Sequence, residues 1–276
     1  MYIIIDKLFI DTGWIENLDQ KLQESGFNVF VSNYIKDLND DLSLPKDFKN
    51  TENHVFIYGS IQFTKAFLSK YDHIVGFFDS NKLLAQKYLS NTPNHLFLNG
   101  KSIFITFGQL KQNKDWYYKL FNTNELFIRP DSSEKIFTGF LLHFESFDYE
   151  VNSLEQLTSV TNETLILLSK PQNILSEYRF FICNNEVLDG CQYIKNNEIE
   201  TSKNVPEEAL EVAQKFANID PYQRPDQYLV CDVCKTENGD FKIVELNAMS
   251  TSDLYVCNPS VLYQSFKSYL EEYYDL

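Results

Sequence analysis

Asp232, Glu245 and Asn247 are the residues of this sequence whose types and spacing are best suited to chemistry. Asp232 lies in the apolar run Tyr228 to Lys235; Glu245 and Asn247 lie at the end of a second run that begins at Phe241. The two runs flank Glu237-Asn238-Gly239-Asp240, so they read as a β-hairpin. Side chains alternate along a strand, which puts Glu245 and Asn247 on one face. Asp232 sits across from them if the register cooperates. Two carboxylates and an amide oxygen make a hard oxygen site suited to Mg2+, with waters and phosphate oxygens completing the shell. Mn2+ is the alternative occupant. The competing reading is an exposed hairpin whose acids simply face water.

The cations form a second set. Arg129 ends the apolar run Leu126-Phe127-Ile128-Arg129, and Pro130 stops the ladder from continuing. A loop follows with Asp131, Ser132, Ser133, Glu134 and Lys135, and then Thr138-Gly139. Arg179 sits among aromatics in Tyr178-Arg179-Phe180-Phe181. A guanidinium in such a strand wants a planar acceptor, either a phosphate or an internal acid such as Glu177. Lys135 taken alone reads as a solvated loop lysine. Cys231 and Cys234 form one CxxC without a partner pair for zinc, inside a strand rather than at a helix start, and read as structural. Walker-type GxxxxGK, GxSxG, HExxH and a strand-following GxGxxG are all absent.

Alternating elements must position the first third of the chain. Tyr2–Ile5, Asn28–Val31, His54–Tyr58 and Ile74–Phe77 read as strands, while Ile15–Ser25, Phe63–Ser69 and Asn81–Leu89 read as helices. That alternation predicts a small parallel α/β domain. Asp37 to Asn53 is a polar stretch within it. Gly59-Ser60 stands where a strand hands over to a helix, a usual ligand position in open α/β sheets, although a tight turn alone asks for Gly. The remainder reads as α+β. Leu126–Arg129 and Leu165–Leu168 are strands, and Glu177–Cys183 with Glu186–Ile194 form a hairpin around Asn184-Asn185. Val205–Phe216 is a helix with Pro206 in its first turn, and Val261–Tyr274 is amphipathic.

The 276 residues are enough for two or three cores, and 43% hydrophobic with 15% aromatic residues indicates a folded chain. A net charge of −15 argues against extended nucleic-acid binding, since affinity for a duplex comes from Lys and Arg on phosphates. It leaves room for one nucleotide held by a few cations and a metal. The opening MYIIIDKLFI is broken by Asp6 and Lys7 and does not read as a signal peptide. No apolar run approaches the ~18 residues of a membrane span. With five scattered cysteines, a reduced cytoplasmic setting is expected.

FIRPDSSEKIFTG, SEYRFF and CDVCKTENGDFKIVELN, in that order, resemble the ATP-grasp superfamily. They are most similar to a phage- and bacteria-associated clade marked by two arginines and a lysine, here Arg129, Arg179 and Lys135. The likeness runs from about Leu126 to Asn258. Glu245 follows Asp232 by 13 positions and Asn247 by two more, the order in which D-alanine ligases arrange an acid, a glutamate and an asparagine on magnesium.

The resemblance implies a pre-ATP-grasp α/β domain over 1–95 and a two-subdomain ATP-grasp module over 96–276, with the lid about 96–170 and the C-terminal subdomain about 171–276. It implies ATP contacts from Arg129, Lys135, Ser132, Ser133 and Gly139 in a covering loop. Ser169 and Lys170 fall at the adenine hinge, with Glu177 and Arg179 beside the nucleotide. Arg179, Lys135 and Arg129 are the implied catalytic cations. The reaction implied is ATP-dependent carboxylate–amine ligation through an acylphosphate, on small-molecule or peptide substrates. A phosphotransferase and a decayed nucleotide-binding interaction protein are the alternatives. Two departures bear on the acceptor: Asn247 is followed by Ala-Met-Ser-Thr-Ser without glycine, and the 131–139 loop holds a single glycine. Glu245→Gln or Asp232→Asn is expected to abolish magnesium-dependent turnover and leave the fold largely intact.

Overall fold

Strands buried on both faces are apolar throughout, and the first sheet shows why. In the computed structural model, which describes residues 1–34, 42–49 and 55–273, four parallel strands run β1 (Tyr2–Asp6), β2 (Asn28–Ser32), β3 (Val55–Tyr58) and β4 (Ile74–Val75), in the order β2-β1-β3-β4. Ile3, Ile5, Phe56 and Tyr58 enter one core, while Ile4, Val55 and Ile57 enter another with Phe63 and Phe67. Helices α1 (Lys7–Asp11), α2 (Leu18–Glu24), α3 (Lys46–Lys49) and α4 (Ile61–Lys70) accompany this sheet. Of the polar stretch, 37–41 and 50–53 lie outside the described residues, as do His54 and Tyr274.

The handover at Gly59-Ser60 is a packed turn. Ser60 Oγ accepts from Phe63 N at 3.3 Å to cap α4 and donates to Asp6 Oδ2 at 3.0 Å. A Cβ on Gly59 would stand 2.5 Å from Asp6 Cβ and 2.6 Å from the Phe63 ring. Gly59→Ala is therefore expected to destabilise the protein by about 1–3 kcal/mol. An unchanged denaturation midpoint would contradict this packing.

After α5 (Ala85–Asn91), β5 (Ile103–Thr106), β6 (Glu125–Pro130), β7 (Phe140–His143) and β8 (Leu165–Ser169) form an antiparallel sheet in the order β5-β8-β6-β7. Helices α6 (Phe107–Gln112), α7 (Lys114–Phe121) and α8 (Phe147–Leu157) share its core. A third sheet, ordered β11-β10-β9-β12-β13, is built from β9 (Ile174–Cys183), β10 (Glu186–Lys195), β11 (Glu198–Ser202), β12 (Tyr228–Thr236) and β13 (Phe241–Asn247). Its Phe180, Ile182, Leu229, Cys231 and Val233 pack on α9 (Glu207–Ala217). From the opposite face, Phe181, Tyr228 and Val230 share a core with Ile3 and Phe56 and with Tyr263 and Phe266 of α10 (Pro259–Tyr273). The first and third sheets are thus joined by one hydrophobic body.

Both expected hairpins are present, and positive φ at Asn184 and Gly239 marks their turns. Pro206 is the N-cap of α9 rather than a first-turn residue. The helix expected from Asn81 begins at Ala85, because Asp79 Oδ1 accepts from Asn81 N and Lys82 N and holds a turn there. Cys231 and Cys234 are buried in β12, and all five cysteines are buried thiols outside any disulfide. Among the described residues, no helix is long and apolar enough to cross a membrane.

Candidate active site

Register assembles the site. On β12, Asp232 is the Cα partner of Arg179 on β9 and of Glu245 on β13, so three neighbouring strands contribute one row. Asn247, two residues beyond Glu245, turns its amide toward both acids. Its Nδ2 donates to Asp232 Oδ2 at 3.0 Å and to Glu245 Oε1 at 2.9 Å.

Arg179 grips Asp232 with both edges of the fork, Nε to Oδ1 at 2.9 Å and Nη2 to Oδ2 at 2.8 Å. Its Nη1 donates to the Asp253 carbonyl at 3.1 Å. The guanidinium carbon lies 5.1 Å from the Tyr193 ring centre and 5.2 Å from that of Tyr255, and these two rings stack at 5.0 Å. Arg179 is 6% exposed and Asp232 fully buried. Burial opposes the charge on Arg179, but Asp232 outweighs it and holds the guanidinium protonated well above its ordinary value.

Sheet order brings the other cations over this row. Arg129, on β6 of the second sheet, forms an ion pair with Glu245 at 3.2 Å and is hydrogen-bonded to the Tyr88 hydroxyl. Burial works to raise the Glu245 carboxyl, yet Arg129 prevails and lowers it, so this acid is held as the anion. A cavity of about 270 Å3 opens between the sheets, with Arg129, Ser132, Lys135, Gly139, Glu177 and Glu245 on its wall. Phe127 and Phe137 supply apolar wall, and a Cβ on Gly139 would come within 2.7 Å of Phe127. Lys135 sits at φ 51°, and its ammonium has neither an ion pair nor a hydrogen bond among the described residues. Ser132 Oγ accepts from Glu134 N at 3.0 Å, whereas the buried Ser133 Oγ has no partner among the described residues. An exposed Lys65–Glu134 pair at 2.6 Å ties this loop to α4, a contact worth no more than about 1 kcal/mol.

Glu177 accepts a hydrogen bond from the Tyr193 hydroxyl. Burial pushes its carboxyl from 4.5 up to about 7, and repulsion from Asp232 and Glu245 adds to this against the Tyr193 bond. Between these values the folded state holds a proton that the unfolded chain has released. The Glu177 contribution to stability therefore falls as pH rises through the window and is lowest above about 7. Glu177→Gln is expected to flatten that slope and stabilise the protein at pH 8 by up to about 3 kcal/mol. Parallel stability curves for variant and wild type between pH 5 and 8 would contradict it.

Of the sequence-chosen residues, Asp232, Glu245, Asn247, Arg179, Arg129, Lys135, Ser132, Gly139 and Glu177 meet at this junction of two sheets. Ser133 is in the same loop. Ser169 ends β8 and donates to Asn99 Oδ1 at 3.1 Å, and Asn99 lines the cavity. Lys170 faces a separate hollow with Pro171, Asn173 and Glu237. Among the described residues no group of three or more His, Cys, Asp or Glu side chains could hold a metal, so the set rests on two carboxylates and an amide. That set fits a hard divalent cation. The Asn247 nitrogen stands between the two carboxylates, and turning the amide over would present its oxygen to the same place. Arg179 leaves lone pairs on Asp232 for a further partner.

Sequence reading missed Tyr193, Tyr255, Tyr88 and Asn99. Tyr193 carried no clear signal, since it is the extra residue of a bulge between Gln192 and Ile194, where simple alternation does not apply. Tyr255, in a loop with φ 47°, carried none.

Comparison with proteins of known structure finds the same fold at low identity. D-cycloserine synthetase is 11% identical with a TM-score of 0.63, over 98% of this chain and all of that one. D-alanyl-alanine synthetase A from Vibrio cholerae is 12% identical with a TM-score of 0.58, over 96% and 93%. An ATP-grasp ligase complexed with a minimal precursor, Mg and ADP is 9% identical with a TM-score of 0.53, over 98% of both chains. No curated protein sequence matches. The model of an ATP-grasp domain family, the third family of its clade, matches residues 108–266, more than half the chain and every residue of the metal-suited row. The chain belongs to this ATP-grasp family.

Proposed function

We propose that the protein is an ATP- and magnesium-dependent carboxylate–amine ligase of the peptide-bond-forming type. The observation that carries this reading is the convergence of Asp232, Glu245 and Asn247 beneath Arg129, beside a cavity whose Lys135 ammonium has no partner among the described residues. The complex of a related fold with Mg, ADP and a precursor supports it. Arg129, Arg179 and Lys135 are then the two arginines and the lysine that mark a phage- and bacteria-associated clade.

Each residue has work suited to its surroundings. Asp232, Glu245 and Asn247 would hold the magnesium, with manganese as a substitute. Arg129 and Lys135 would neutralise phosphate oxygens, helped by Ser132, Ser133 and the backbone at Gly139. Ser169, through Asn99, and Glu177 would line the nucleoside end, with Lys170 in the adjoining hollow reaching it only from outside the cavity. Arg179, committed to Asp232 and to the Asp253 carbonyl, acts as a positioning residue that fixes the carboxylate. ATP supplies phosphorylation of a carboxylate, whose phosphate an amine then displaces. Positioning and charge neutralisation are what such transfer asks of a protein, and no histidine base is required. Five buried cysteines without a disulfide support the reading of a reducing cytoplasmic setting.

A phosphotransferase is the second reading, because the same cations serve a kinase. Incubation with MgATP and panels of small or peptide acids and amines separates them. A ligase gives ADP, free phosphate and a new amide in equal amounts. ADP with a phosphorylated acceptor and no free phosphate would replace the ligase with the kinase. Absence of any nucleotide binding would leave an interaction protein.

A further inference from the structure

A second cavity, of about 400 Å3, lies between α5 and the loop 221–227. It shares no lining residue with the cavity beside Lys135. Lys82, Lys87 and Arg224 line it on a protein whose net charge is −15.

Arg224 is the unusual member. The chain has three arginines, and Arg129 and Arg179 each hold a carboxylate. Arg224 is 5% exposed, yet no acid lies within ion-pair distance of it among the described residues. It donates to the Asn184 carbonyl and to Asn185 Oδ1, while its Nε has no partner among the described residues. A buried guanidinium without a counter-anion is costly, and burial accordingly lowers its pKa. The ammonium groups of Lys82 and Lys87 are likewise without ion pairs or hydrogen bonds among the described residues.

Asp226 itself lines the cavity, and it and the nearby acids are engaged in their own turns. Asp226 accepts from Gln227 N and Tyr228 N, Asp79 from Asn81 N and Lys82 N, and Asp220 from Tyr222 N. The Tyr222 side chain stands in water at the rim, while the buried Tyr88 forms part of the wall.

We propose that this cavity is a second ligand site, which takes a small organic anion bearing several carboxylate or phosphate groups. Arg224 receives one group at depth, and Lys82 with Lys87 receives another at the mouth. The site is separate from the nucleotide reading and stands whether or not that reading holds.

Citrate and inorganic phosphate, titrated separately into the full chain at constant ionic strength, test it by calorimetry. Lys82→Gln/Lys87→Gln changes side chains at the mouth only, and Lys135→Gln reports on the other cavity. Saturable binding of at least one anion is expected, weakened about tenfold or more in the double variant and unchanged in Lys135→Gln. Citrate alone would identify a polycarboxylate, and phosphate alone a phosphate ester. No saturation by either anion, or binding that survives in the double variant, would overturn the proposal.

Discussion

Glu245→Gln is expected to weaken magnesium-dependent ATP binding and turnover by about 100-fold or more while the protein stays folded. Loss of an outer-sphere partner of a metal ligand already costs about 10–100-fold, and a ligand itself costs more. The variant keeps the size of the side chain and removes the charge. Arg129 loses its ion pair at 3.2 Å but retains its hydrogen bond with Tyr88 and the favourable charge of nearby Asp131. Folding should therefore change by no more than about 1–2 kcal/mol. Turnover rates and thermal midpoints, measured together, check both halves. Wild-type activity in a folded variant would remove Glu245 from the metal set.

Asp232→Asn is expected to behave differently, as a stability variant before it is an activity variant. Sequence reading treats the two acids alike, as residues that could be neutralised with the fold largely intact. The structure separates them. Asp232 is fully buried, and Arg179 spends two hydrogen bonds on it. Removing one partner of such a pair leaves an uncompensated buried charge, at a cost of about 3–5 kcal/mol. The aromatic rings of Tyr193 and Tyr255 soften that cost without cancelling it. A paired change, Arg179→Met with Asp232→Leu, should recover most of the lost stability and none of the activity. Denaturant titration of the three proteins measures this. A single Asp232→Asn variant as stable as wild type would show that the pair is not coupled as described.

The same contrast shows what a linear sequence discloses. Strand alternation places Glu245 and Asn247 on one face. The register running back from the turn at Asn238-Gly239 would set Asp232 against Val244, but a bulge there shifts its partner to Glu245. Local rules therefore gave the shared face of Glu245 and Asn247, while their meeting with Asp232 depends on the bulge. They sufficed for β1, β3 and α4, where apolar runs meet a glycine and a capping serine. They failed for β5, α6, α7, β7 and α8, none of which was anticipated. Here Phe107, Tyr117, Tyr118, Phe147 and Leu154 owe their burial to a shared core assembled from distant segments. The partners of each cation were equally hidden. Arg179 reads as a seeker of some planar acceptor, and only the alignment of β9 with β12 selects Asp232. Arg129 meets Glu245 because two sheets face each other, a relation that no spacing within either strand encodes.

The most direct test of the central claim is a calorimetric titration of the wild-type protein with ATP, with and without magnesium. The account predicts one nucleotide per chain, bound at micromolar-scale concentration with magnesium and far more weakly once the metal is chelated. A folded protein that takes up no ATP at millimolar magnesium and nucleotide would contradict it.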